Sequence, residues 1–131
     1  MIYGVGTDLI EIRRVERVLA RFGERFAQRI LCPPELERFR RHRHPVAYLA
    51  KRFAAKEAFT KALGTGIHAP ANWHGVWVAN LRSGKPVLEF SPALRALLEA
   101  RRIRRAHVSI TDEREMASAT VILESQGGDA P

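Results

Sequence analysis

The stretch PVAYLAKRFAAKEAFTKAL, from Pro45 to Leu63 and followed by Gly64, decides the architecture. Proline suits the first turn of a helix, where its missing N–H leaves nothing unpaired. Glycine suits the residue just past the end, where the backbone turns left-handed. Between them Ala, Leu, Lys and Glu dominate, all good helix formers. The spacing predicts one long helix over 45–63. Val46, Leu49 and Phe53 recur at helical spacing and give it an apolar stripe. Four residues beyond Phe53 the stripe reaches Glu57, a carboxylate in an apolar row.

On the N-terminal side, residues 2–12 alternate as a strand. Ile2, Gly4, Gly6, Asp8, Ile10 and Ile12 share one face, and Tyr3, Val5, Thr7, Leu9 and Glu11 the other. Both faces are largely apolar, which predicts a central strand. Residues 13–23 read as a helix and 26–31 as a second short one. Cys32-Pro33-Pro34 stops it, and 35–41 adds another turn or two.

On the C-terminal side, 76–81 and 86–90 bracket Arg82-Ser83-Gly84-Lys85 as a hairpin. Ser91-Pro92 opens a helix that Leu94, Leu97 and Leu98 stripe, ending near Arg102. Residues 107–111 and 117–123 read as two closing strands joined by a polar turn. Strand, helices, hairpin, helix, hairpin is an α+β order: an antiparallel sheet packed against a long helix. One domain over residues 1–125 is expected, with 126–131 as a short flexible tail.

The composition narrows the class. A chain of 131 residues with 46% hydrophobic and 27% charged residues is ordinary for a globular protein. No apolar run approaches the ~18 residues of a membrane span, and no basic-then-apolar leader opens the chain, so no membrane association is expected. The lone Cys32 cannot form an internal disulfide, which favours a reducing cytoplasm. The net charge is +8, and 18 of the 22 basic residues are Arg. That balance points to a negatively charged partner, nucleic acid first among the candidates. A nucleic-acid domain would bring zinc-ligand cysteines, basic strands interleaved with aromatics, or heptads beside a basic run, and the sequence has none of them.

Two carboxylates carry the chemistry. Asp8 lies on the strand face of Ile2, Ile10 and Ile12, where it needs a partner. Nearby backbone N–H groups or an Arg would serve. Glu57 is flanked by Lys56 and precedes Lys61 by four residues, so a helix-surface Glu57–Lys61 pair is the ordinary alternative to a functional role. Two inward carboxylates from different elements, with lysine nearby, also suit Mg²⁺ and a phosphate-bearing substrate.

GTDLIEI from Gly6 to Ile12, followed by RFAAKEAFTKALGTG from Arg52 to Gly66, resembles the holo-acyl-carrier-protein synthase family of short bacterial 4′-phosphopantetheinyl transferases. The resemblance runs from Ile2 to about Ser125. It implies transfer of the 4′-phosphopantetheine arm of coenzyme A to a serine of apo-acyl carrier protein in fatty acid biosynthesis, releasing adenosine 3′,5′-bisphosphate. It further implies Asp8 and Glu57 as Mg²⁺ ligands and Lys61 as a phosphate contact. Gly84 and Pro86 would lie beside the adenine, with His107 and Ser109 on a nucleotide-contacting strand. A homotrimer with active sites between subunits also follows from the resemblance alone. Many relatives carry a second histidine after the His-x-Ser strand, where this chain has Asp112-Glu113-Arg114. The base that takes the serine proton is Glu57 or a metal-bound water.

Under this resemblance the positive charge meets an acidic carrier protein. Arg14 and Arg21 are then docking residues, with Arg13, Arg17 and Arg25 at four-residue spacing as extras. Clusters at Arg38–Arg43 and Arg101–Arg105 fit either surface solvation or phosphate contact. The rival classes are a nucleic-acid-binding domain and a non-catalytic partner of the fatty-acid machinery. Magnesium dependence separates them from the transferase.

Overall fold

The computed structural model describes residues 1–126. The chain runs β1 (Ile2–Glu11), α1 (Ile12–Phe22), α2 (Glu24–Ile30), α3 (Pro33–Arg41), α4 (Pro45–Leu63), β2 (Val76–Asn80), β3 (Pro86–Phe90), α5 (Pro92–Ala100), β4 (Ile103–Asp112) and β5 (Met116–Ser125). β1, β5 and β4 form one antiparallel sheet in that order, and β2 pairs with β3 in a second. The α+β architecture expected from the order of elements is the one observed.

α4 packs across one face of the larger sheet, chiefly on β1 and β5. Alternation explains why. Ala117, Ala119, Val121 and Leu123 of β5 are buried, and so are Ala54, Ala58 and Ala62 of α4. Small side chains on both surfaces let the helix lie close to the sheet. Pro45 stands in the first turn of α4, and Gly64 ends it at φ 89°. At Ser91 the side chain accepts from the Leu94 amide at 3.2 Å, capping α5 as expected.

Helix α4 departs from the expected stripe. It is buried on nearly every side, and the row through Leu49, Phe53 and Glu57 faces the seam where the β1 side of the sheet meets α1 and α2. The alanine row takes the sheet itself. The helix is central because sheet, helical layer and α3 all cover it.

β1 corrects a second expectation. It is an edge strand, and β5 is the central one. Most of its second apolar face is bare among the described residues: Val5 is 53% exposed and Leu9 64%, while Tyr3, beside the irregularity at Ile2–Gly4, packs on the core. Two apolar faces suggest two covers, but the described residues supply only one in full.

Smaller differences lie at the ends. Pro33 and Pro34 begin α3 as first-turn residues rather than only stopping the helix before it. Gly23 separates α1 from α2, which puts Arg25 on a different helix from Arg13, Arg17 and Arg21. β4 and β5 are longer than their apolar cores suggest, because Arg105 with Glu124 and Ile103 with Ser125 continue the pairing past an irregularity at Arg104. Of the expected tail, Gln126 donates its amide to the Arg102 carbonyl at 3.0 Å, and 127–131 lie outside the described residues. Among the described residues no helix is long and apolar enough to cross a membrane.

Candidate active site

β1 and α4 bring Asp8, Glu57 and Lys61 to one cavity of about 430 Å³. Asp8 faces α4 from β1, opposite Ala119 in the register. Glu57 and Lys61 are one helical turn apart on α4, so both reach the same opening. Arg14 of α1 lines it as well, with Phe26 and Phe53 on its apolar wall.

The ion pair that forms is not the local one. Lys61 Nζ donates to Asp8 Oδ1 at 3.0 Å and to the Thr7 carbonyl at 3.0 Å. The helix-surface Glu57–Lys61 pair is replaced by a cross-element contact, because the edge strand offers both a carboxylate and a free carbonyl to the lysine. Asp8 thereby finds its partner in a lysine rather than in backbone N–H groups or an arginine.

Glu57 has a raised pKa. Burial is the larger cause and the charge of Asp8 the next, with Lys61 opposing both. The folded state therefore holds the Glu57 proton more tightly than the unfolded chain does, and stability falls as pH rises through that window. Glu57→Gln removes the penalty. The variant is expected to melt above the wild type at pH 7, with the gap closing toward pH 4. A gap that stays constant from pH 4 to 8 in thermal melts would contradict the assignment.

Two hard oxygen donors across a strand and a helix fit a Mg²⁺ ion that keeps water and substrate phosphate oxygens as its other ligands. The lysine ammonium on Asp8 is a cation already seated on one of them. No third His, Cys, Asp or Glu joins the pair among the described residues.

The other expected site residues lie elsewhere. Gly84 has φ 95° in the β2–β3 turn, and Pro86 starts β3. His107 and Ser109 alternate onto the outer face of β4, opposite to the face covered by α4, and His107 Nε2 shares a 2.6 Å hydrogen bond with Glu124 Oε1. Within one chain they are not gathered with Asp8. Arg21 packs its guanidinium over Phe22, 5.1 Å from the ring centroid, one helical repeat from Arg14.

The two basic clusters disperse. Arg40 pairs with Glu24, Arg41 with Glu37, and Arg101 donates to Tyr3 and to the Leu63 carbonyl. One arginine that sequence reasoning passed over stands out. Arg52 is 7% exposed, its guanidinium lies over the Tyr48 ring at 4.4 Å, and it donates to Asn80 Oδ1 at 3.1 Å. Asn80 also accepts from Arg38 and donates to the Gly84 carbonyl, so α3, α4 and the hairpin turn meet there. Arg52 Nε and the Tyr48 hydroxyl are buried without a hydrogen-bond partner among the described residues. The one available signal was an arginine inside a helix otherwise rich in alanine.

The profile of the 4′-phosphopantetheinyl transferase superfamily matches residues 4–119. The chain belongs to that superfamily. It is 48% identical over 131 residues to the holo-acyl-carrier-protein synthase of Methylibium petroleiphilum, covering 96% of this chain and 98% of that one. Among solved structures, the synthase of Neisseria meningitidis superposes with a TM-score of 0.93 at 45% identity, over 95% of this chain and 100% of the other. The Bacillus anthracis synthase, solved in complex with CoA (3′,5′-ADP), gives a TM-score of 0.81 at 36% identity, over 96% and 99%.

Proposed function

We propose that this chain is a cytoplasmic, Mg²⁺-dependent holo-acyl-carrier-protein synthase. It transfers the phosphopantetheine arm of coenzyme A to a serine of apo-acyl carrier protein, in the service of fatty acid biosynthesis. One domain, residues 1–125, carries the activity. The observation that supports the reading best is the meeting of Asp8, Glu57 and Lys61 in one cavity of a superfamily member.

A divalent cation between Asp8 and Glu57 would neutralise the pyrophosphate and lower the pKa of a bound water. Lys61, 52% exposed at the cavity rim, can swing from Asp8 to a phosphate oxygen and hold the departing charge. Glu57, whose raised pKa makes its carboxylate the stronger base, is the chain's own candidate to accept the serine proton. Arg52, through its bond to Asn80, braces the hairpin turn that holds Gly84.

Arg14 stands on the cavity wall and Arg21 two turns along the same helix, a track for an acidic carrier helix. Arg14→Glu is expected to raise the KM for apo-carrier at least about tenfold while leaving coenzyme A binding unchanged. Unchanged carrier kinetics would remove Arg14 from the docking surface.

The outer face of the sheet, with Val5 and Leu9 exposed on β1 and His107 and Ser109 across β5 on β4, suits a homotrimer in which β4 faces a neighbour's carboxylates. Light scattering should then give the mass of three chains. The decisive assay mixes the protein with apo-acyl carrier protein, coenzyme A and Mg²⁺ and follows the carrier's intact mass. No added phosphopantetheine, beside an active control synthase, would overturn the reading.

A further inference from the structure

Gly6 and Gly4 are unusual for what surrounds them rather than for their backbone angles. A Cβ built on Gly6 would lie 2.0 Å from the Ala58 carbonyl oxygen and 2.6 Å from the Ala62 amide nitrogen. One on Gly4 would lie 2.0 Å from the Ala62 carbonyl oxygen. These neighbours are helix backbone, which cannot rotate away as a side chain can. Strand β1 therefore rests backbone to backbone on α4. To admit one methyl at Gly6, the gap must open from 2.0 Å to the 3.4 Å of ordinary contact.

The two contacts differ in what lies beside them. Gly6 sits one residue from Thr7, whose carbonyl Lys61 holds, and two from Asp8 on the same strand face. Its helical contacts, Ala58 and Ala62, flank Lys61 and adjoin Glu57. Gly4 is four residues from Asp8 and touches only the C-terminal end of the helix. Opening β1 at Gly6 pulls Asp8 off the helix, whereas opening it at Gly4 loosens the strand's start.

We propose that Gly6 is a positioning residue of the active site. Its missing side chain sets the spacing between Asp8 on the strand and Glu57 with Lys61 on the helix, and through it the grip of the two carboxylates on a divalent cation. The inference rests on the reading above for the presence of that cation. Reaction geometry is sensitive on this scale, since a misplacement of about 1 Å can cost 10²-fold.

The experiment compares Gly6→Ala, Gly4→Ala, Asp8→Glu and the double variant Gly6→Ala/Asp8→Glu. Mn²⁺ affinity, in the presence of saturating coenzyme A, is read from the paramagnetic resonance of free Mn²⁺, and thermal melts are recorded alongside. Both glycine variants should melt lower than the wild type. Gly6→Ala should lose about 10- to 100-fold in Mn²⁺ affinity, and Gly4→Ala should stay close to wild type. Asp8→Glu alone should weaken binding, because the longer side chain carries its carboxylate past the place that the close approach at Gly6 sets for it. The double variant should regain affinity, the added methylene spanning the widened gap.

Equal losses in the two glycine variants, or no regain in the double, would overturn the positioning role. Should Gly6→Ala not fold, Asp8→Glu in the otherwise unchanged chain decides, and wild-type Mn²⁺ affinity there overturns the claim. A wild type that modifies the carrier while these variants bind Mn²⁺ equally well fails the inference and leaves the proposed function intact. A wild type that binds no Mn²⁺ fails both.

Discussion

Asp8→Ala is expected to lower kcat/KM for transfer of the phosphopantetheine arm by about 10²–10³-fold and to leave the fold standing. The first half follows from charge. Among the described residues Asp8 is one of two carboxylates on the cavity, and losing a group that holds developing or bound charge in such a site typically costs that much. The second half follows from exposure. Its one ion pair is to a lysine whose side chain is 52% exposed, and pairs of that kind contribute little to stability. Asp8→Ala also removes one of the causes that raise the Glu57 pKa, so Glu57 should titrate lower in the variant. Steady-state kinetics with apo-acyl carrier protein, together with a melt at pH 7, check both halves. Activity within tenfold of wild type would remove Asp8 from the site.

Lys56→Met has the largest expected effect on stability. Lys56 is fully buried beside Glu57, yet it faces away from the cavity. Its ammonium donates to Glu35 Oε1, the Ile30 carbonyl and the Trp73 carbonyl, each at 2.7 Å. Glu35 in turn accepts from the Cys32 and Val78 amides at 2.9 Å. Three donors and two further acceptances leave no charge uncompensated, and the network ties α2, α3, α4 and β2 together. Removing the lysine strands Glu35 in the core, a change that typically costs about 3–5 kcal/mol. Against a total of about 5–15 kcal/mol, that is a large share. Denaturant unfolding should show a clear drop in midpoint. Lys56→Met/Glu35→Gln should cost less than Lys56→Met, because the uncompensated charge is gone. A double variant as unstable as the sum of the two singles would mean that the pair does not couple.

Most of the secondary structure was legible because its signals are local. Proline and glycine bracket α4, Ser91 caps α5, and alternation marks β1 and β5. The candidate site residues stand out in the sequence for a different reason. Asp8 and Glu57 both break an apolar pattern, and the motif around each resembles one family. Arg52 and Lys56 were not legible. A long basic side chain in a helix is ordinary on the surface, and its burial depends on what other elements place beside it.

Charge shows the same division. The sequence determined a +8 chain, which points to an acidic partner, a long helix, and two carboxylates out of place among apolar neighbours. Periodicity within one element is enough for each of these. Only the tertiary structure decided that Lys61 serves Asp8 rather than Glu57, that β1 is an edge, and that His107 and Ser109 face away from the cavity. Those outcomes turn on which faces of different elements meet. Here that was settled by two glycines letting a strand rest directly on a helix, and by an apolar face left bare by the described residues.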